Sequence, residues 1–147
     1  MSGYQNILCA MDFSAYSDMA LLRSMELAKL YKAKLTLLHV VEYFPEDRSN
    51  AQIPPEDADP AQYREQQALA LLSEHAHSAG IADATQAVRV TAHSAKQEII
   101  AFANEQHIDL IVVASHGRHG IAELLGSTAN GVLHKAACDV LVVRASA

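Results

Sequence analysis

Five short, almost uninterrupted apolar runs constrain this chain more than any other feature. They are Ile7 to Met11, Leu35 to Val41, Ala87 to Ala92, Ile108 to Ala114 and Val140 to Val143. A strand that is apolar along its whole length must be covered on both faces. A parallel sheet sandwiched between helices meets that requirement. A sheet with one wet face would instead alternate apolar and polar residues, and only the Ala87 to Ala92 run does so, weakly.

Helical periodicity fills the intervals between the runs. From Ser14 to Tyr31, Leu21, Met25 and Ala28 fall at i, i+4 and i+7. From Ala61 to Ala79, Leu69, Leu72 and Ala76 mark one face, and Gly80 is placed to stop the helix. Ser94 with Gln97 three residues on forms a capping box, opening a helix that carries Ile99, Ile100 and Ala103. Ala129, Val132, Leu133 and Ala136 mark a last helix. Strand and helix therefore alternate throughout. Right-handed crossovers then predict a single α/β domain over residues 1–147. Its core is a doubly wound five-stranded parallel sheet of strand order 3-2-1-4-5, with helices on both faces. In that order the first and fourth strands straddle the point where the winding reverses. Ligands of such sheets bind there, at the carboxyl ends of the strands. The candidate site is the pair of loops after Met11 and Ala114.

Composition narrows the function classes. The net charge of −6 argues against a general nucleic-acid surface, because that affinity comes largely from neutralised phosphates. A single nucleotide can still be held by backbone amides. No apolar stretch is long enough to span a bilayer, and Met1 to Asn6 has no signal-peptide pattern. Cys9 and Cys138 lie in or beside apolar runs and read as buried thiols of a reducing compartment, so a cytoplasmic location is expected. All four prolines (Pro45, Pro54, Pro55, Pro60) share one acid-rich stretch, read as an exposed connector or as a lid near the site.

Eight histidines invite a metal reading, but their spacing does not support it. His75 and His77 point to different faces of a helix, and His116 and His119 share a loop without cysteines or paired acids. Lys96 reads as a solvent-exposed surface charge.

The most informative stretch runs from Val112 to Asn130, VVASHGRHGIAELLGSTAN. It leaves the strongest strand, turns through Gly117, and re-enters a helix at Gly126-Ser127. Glycine allows close backbone approach to a ligand, and a helix N-terminus offers unpaired amides and the positive end of a dipole. Together they suit an anion. The same residues equally suit an ordinary turn followed by an ordinary N-cap, and the residues alone leave both readings open.

Across essentially its whole length the chain resembles the universal stress protein family. The resemblance is carried by ILCAMDFS (7–14), AKLTLLHVV (33–41), DLIVVASHG (109–117), LLGSTANGV (124–132) and the ending CDVLVV (138–143). ATP-binding members of that family have Gly, two residues, Gly, nine residues, Gly and then Ser or Thr. Here Ala114 stands where the first Gly is usual, and eight residues separate Gly117 from Gly126. Gly117, Gly126 and Ser127 are retained, which places the chain with the ATP-binding branch. The resemblance implies ATP contacts from Ala10, Asp12, Val40, Val41, Val113, Ala114, His116, Gly117, Arg118, Gly126, Ser127, Thr128 and Ala129. Asp12 would face the ribose or an associated metal, and Val40 or Val41 the adenine. Val113 and Ala114 would flank the nucleoside, and Gly117, Gly126, Ser127 and Thr128 would cradle the phosphates. Mg2+ or Mn2+ would be held mainly by phosphate oxygens. The resemblance further implies a homodimer paired through the fifth strand, Val140 to Val143, which would cover an exposed apolar edge.

The leading expectation is a nucleotide-binding stress-response or regulatory module with no dedicated chemistry beyond weak ATP hydrolysis. The sequence has neither a Walker A loop nor an arranged catalytic base. The alternative is a nucleotide-free dimeric interaction protein on the same fold. A phosphoacceptor domain would need an aspartate after the third strand, where Ala92-His93 stands. A flavodoxin would need a Ser/Thr-Gly loop after the first strand and stacking aromatics.

Overall fold

The computed structural model describes residues 3–44, 59–116 and 125–144. In chain order the elements are β1 (Asn6–Ala10), α1 (Ala15–Tyr31), β2 (Lys34–Glu42), α2 (Pro60–Ser78), β3 (Thr85–Thr91), α3 (Ala95–Glu105), β4 (Leu110–Ala114), α4 (Ser127–Lys135) and β5 (Asp139–Val143). The strands form one parallel sheet in the order β3-β2-β1-β4-β5, as the alternation of runs predicts.

Each apolar run is divided between the two faces by the strand period of two. Ile7, Cys9, Leu37, Leu110 and Val112 pack against Ala20 and Leu21 of α1 and Ala68, Leu72 and Ala76 of α2. Leu8, Leu38, Ile111 and Val113 pack on the other face against Ile99, Phe102 and Ala103 of α3 and Ala129 and Val132 of α4. In register, Ile7 pairs with Leu35 on one side and Leu110 on the other, so three largely apolar strands lie side by side at the centre.

Helix ends follow local chemistry. Ser14 caps α1 by accepting from the Ser17 amide, and Asp59 caps α2 by accepting from Ala61. Ser94 and Gln97 make the reciprocal box expected for α3. Gly80, at φ +80°, follows the end of α2 and takes the left-handed conformation that glycine adopts at little cost.

Several expectations shift in detail. Pro60 is the first residue of α2 rather than part of the connector, because a missing N–H costs nothing at that position. Pro45, Pro54, Pro55 and the acid-rich stretch around them lie outside the described residues. β4 begins at Leu110, not Ile108. Asp109 directs its carboxylate at the amides of Gln5 and Asn6, 2.9 and 3.0 Å away, and so fixes the start of β1. On α2 the buried stripe is Ala68, Leu72 and Ala76, and Leu69 is exposed. Leu133 of α4 is exposed as well.

Both cysteines are free thiols. Cys9 is fully buried, and desolvation pushes its pKa up to about 12. Cys138 is only partly buried, contrary to the expectation for it. Among the described residues no helix is long and apolar enough to cross a membrane.

Two predictions follow from the packing. Leu72→Ala is expected to lower unfolding free energy by about 3 kcal/mol, whereas Leu69→Ala costs about 0.5 kcal/mol or less, as read by urea denaturation. Because the thiolate is the reactive form, folded Cys9 is expected to resist alkylation by iodoacetamide at pH 8 and to react once the chain is unfolded.

Candidate functional site

The carboxyl ends of β1, β2 and β4 open into a cavity of about 850 Å³. Ala10, Met11 and Asp12 come from the end of β1, Leu38 to Glu42 from β2, and Val113, Ala114 and His116 from the end of β4. Helix residues complete the walls: Arg64, Gln67, Ala68 and Leu71 of α2, Ala95 and Ile99 of α3, and the segment 125–129 entering α4. The volume suits a nucleotide-sized molecule.

Of the residues expected at a site, Ala10, Asp12, Val40, Val41, Val113, Ala114, His116, Gly126, Ser127, Thr128 and Ala129 all line this one cavity. Gly117 and Arg118 lie outside the described residues. Ala114 is not among the residues with positive φ, so its methyl group brings no backbone strain to the position.

The segment at the end of β4 is tied at two points. The Ser115 amide donates to the Val143 carbonyl at 2.8 Å, and the Ser115 carbonyl accepts from the Gly126 amide at 2.7 Å. The second bond consumes one of the amides that an anion might have used. The next three remain. α4 begins without a side-chain cap, and its first internal bond is Asn130 N–H to the Gly126 carbonyl. Among the described residues, nothing accepts from the amides of Ser127, Thr128 or Ala129. The other three helices are capped by Ser14, Asp59 and Ser94; the starts of α1 and α3 also reach the cavity, through Ser17 and Ala95, so α4 brings the one uncapped start among the described helices to its wall.

His116 lies beside these amides and is nine-tenths buried. Its Nδ1 is 2.9 Å from Ser115 Oγ, while its buried Nε2 has no hydrogen-bond partner among the described residues. Leaving a buried polar atom unpaired costs about 1–3 kcal/mol, a cost that a polar ligand group in the cavity would remove.

Asp12 is presented by a shaped turn. Its Oδ1 accepts from the Ser14 amide at 3.0 Å and from the Ser14 hydroxyl, so one carboxylate oxygen is committed to the start of α1. Between them Phe13 takes φ +66°, an unusual conformation for a bulky residue. Stacking holds it there: its ring lies 4.2 Å from that of His39 and 5.3 Å from that of His75. His39 Nδ1 lies 2.7 Å from the Met11 carbonyl, which can only accept, so Nδ1 carries the proton. His75 Nδ1 is 2.7 Å from Asp18 Oδ1, joining α2 to α1 behind the same turn.

Sequence reasoning missed His39, Glu42, Arg64, Gln67 and Ala95. Glu42 accepts from the Ala95 amide through Oε2 at 3.3 Å, adding a second acceptor to the already capped start of α3. Arg64 donates to the Glu42 carbonyl at 3.3 Å, with its guanidinium 5.7 Å from the Tyr43 ring centre. These residues reach the cavity through helix packing, which no local motif announces. Only the histidine interrupting the apolar run of β2 was a visible signal. Among the described residues no three His, Cys, Asp or Glu side chains converge to hold a metal ion.

Comparison with known proteins places this geometry in context. The model of the universal stress protein family matches residues 3–144. Universal stress protein A homolog 1 of Coxiella burnetii is 36% identical over 140 residues, covering 95% of this chain and 96% of the relative. Universal stress protein A homolog 2 of the same organism is 39% identical over 145 residues, covering 98% and 97%. A universal stress protein solved in complex with cAMP superposes with a TM-score of 0.69 at 28% identity, over 99% of this chain and all of the other.

The turn itself is testable apart from any ligand. Asp12→Ala removes the acceptor of the Ser14 amide and is expected to cost about 1 kcal/mol in thermal or urea unfolding. Asp12→Asn keeps an acceptor oxygen and is expected to stay within about 0.5 kcal/mol of the parent.

Proposed function

The chain belongs to the universal stress protein family, and we propose that its cavity binds ATP with a divalent cation as a stress-response or regulatory module. The observation that carries the reading is the uncapped start of α4 beside the unpaired Nε2 of buried His116. Three free amides, the positive end of a helix dipole and two hydroxyls converge on one wall of a nucleotide-sized cavity. The binding of cAMP by a relative of 28% identity adds support.

In this reading the phosphates sit on the amides of Ser127, Thr128 and Ala129 and accept from His116 Nε2. Gly117 and Arg118 follow His116 in the sequence, and the family resemblance extends the phosphate role to them. The apolar side chains of Val40, Val41 and Val113 suit a planar base, and Ala10 and Ala114 leave room for the nucleoside between β1 and β4. The second carboxylate oxygen of Asp12 is available to the ribose hydroxyls or to the cation. Phosphate oxygens supply most of the Mg2+ or Mn2+ ligands, with the Ser127 and Thr128 hydroxyls within the same wall. We further propose a homodimer through β5, whose outer edge has no strand partner among the described residues and carries Val140 and Val142.

A second reading, a nucleotide-free interaction protein, draws on Ala114 at the first glycine position and on the shortened spacing before Gly126.

Isothermal titration with ATP and Mg2+ tests the main reading. Saturable binding is expected, with ATP at one hundred times its Kd raising unfolding free energy by about 2.7 kcal/mol. Loss of the Nε2 contact in His116→Ala is expected to weaken binding about tenfold. Absence of binding at millimolar ATP, with no 260 nm absorbance in the purified protein, selects the nucleotide-free reading. Light scattering at micromolar concentration reports the dimer, and a monomer there overturns the β5 interface.

A further inference from the structure

Gly131 lies in the middle of α4, where glycine costs about 1 kcal/mol relative to alanine. It is not among the glycines with positive φ, so the backbone does not call for it. Its neighbour does. A Cβ built on Gly131 would fall 2.3 Å from Lys96 Cδ, 3.2 Å from Cγ and 3.3 Å from Cβ. The glycine is a slot in α4, and the stem of Lys96 lies in it.

The slot neighbours the cavity wall, although Lys96 and Gly131 do not themselves line it. Side chains of a helix lean toward its N-terminus, so the space over position 131 covers the turn before it, that of Ser127 and Thr128. Ser127 is one helical turn from Gly131, about 6 Å along the axis. On α3 the residues flanking Lys96, Ala95 and Ile99, themselves line the cavity.

The charge is badly placed for an empty protein. Lys96 sits in the first turn of α3, at the positive end of that helix's dipole, and its stem lies against Gly131 in the middle of α4. Among the described residues no carboxylate forms an ion pair with it. The nearby acids are turned elsewhere: Glu42 bonds the Ala95 amide, and Glu98 is two residues on and so on another face of α3. A polyanion held at the α4 amides reverses the sign of this interaction.

Resting on the nucleotide reading above, we propose that Lys96, held in the Gly131 slot, supplies the positive charge for the distal phosphates and thereby favours a triphosphate over a monophosphate. The α4 amides and His116 suffice for the first phosphate. The β- and γ-phosphates extend past them, toward the ammonium group.

The test compares Kd values for ATP, ADP and AMP in EDTA at low salt. Lys96→Met keeps the stem and removes the charge. It is expected to weaken ATP about tenfold, ADP by less, and AMP within about twofold, while Lys96→Arg stays near the parent. Gly131→Ala fills the slot and is expected to weaken ATP in preference to AMP. Far-UV circular dichroism verifies the fold of each variant. An unchanged ATP-to-AMP ratio in folded Lys96→Met, or equal loss of both nucleotides, overturns the role of Lys96 while leaving nucleotide binding intact. A parent protein that binds none of the three overturns the nucleotide reading, and the role of Lys96 with it.

Discussion

Everything in this structure depends on covering a sheet that is apolar on both faces. Ile7, Leu8 and Cys9 are each buried, although consecutive residues of β1 point to opposite sides. Helices must therefore lie on both faces, and parallel crossovers are the short right-handed way to put them there. The sheet then has one edge where every strand ends. Its winding reverses between β1 and β4, so the loops leaving those two strands turn away from each other and open a crevice. The cavity follows from this topology, and its chemistry comes from the residues the chain places at the rim.

At the rim the chain spends its local polar groups unevenly. Ser14, Asp59 and the Ser94–Gln97 box satisfy the first amides of three helices. Glu42 adds a further acceptor to α3, yet among the described residues α4 has none from a side chain. A cap is worth about 1 kcal/mol, so the fourth helix forgoes stability its sequence could have supplied through a side chain at position 126. Gly126 adopts φ −61° and ψ 153°, a conformation open to any residue, so the lack of a side chain there leaves the approach to the amides clear. Phe13 at φ +66° is a second such concession, balanced by its stacking on His39 and by the His75–Asp18 contact behind it. The first lies on the wall of the cavity and the second adjoins Asp12, which lines it; local strain and unsatisfied groups acquire a use where a ligand meets them.

The fold was legible because hydrophobic period and element length agree everywhere along the chain. Boundaries shifted where a polar side chain had a better use than the pattern implied, as with Asp109 bonding the start of β1. The face of α2 was misread by one position, because Leu69 is the more apolar of two neighbours while packing against the sheet selects the smaller Ala68. α1 and α3 end at left-handed Lys32 and His107, stops that lack the usual glycine and leave no trace in the pattern. The strand-end residues of the site were legible from topology, and Ser127 and Thr128 from the helix start. Arg64, Gln67 and Ala95 were not, because they reach the cavity through the docking of α2 and α3. Lys96 was read as a solvent-exposed surface charge; it is half-buried, because its stem lies against a glycine thirty-five positions further along the chain.

A chain of net charge −6 is at first sight a poor host for an anion. The contradiction dissolves once distance is considered. Exposed charges beyond about 8 Å are largely screened at physiological ionic strength. Hydrogen bonds to a charged group form at about 3 Å, inside the screening length, and a buried setting strengthens them further. In the proposed reading, what an anion meets at the start of α4 is set by three amides, a dipole end and a buried imidazole. The acidic surface governs solubility and disfavours long polyanions such as nucleic acid, which must neutralise many phosphates at once. An acidic chain that repels a polymer of nucleotides is therefore compatible with the proposed binding of a single one, because the two ligands sample its charge on different length scales.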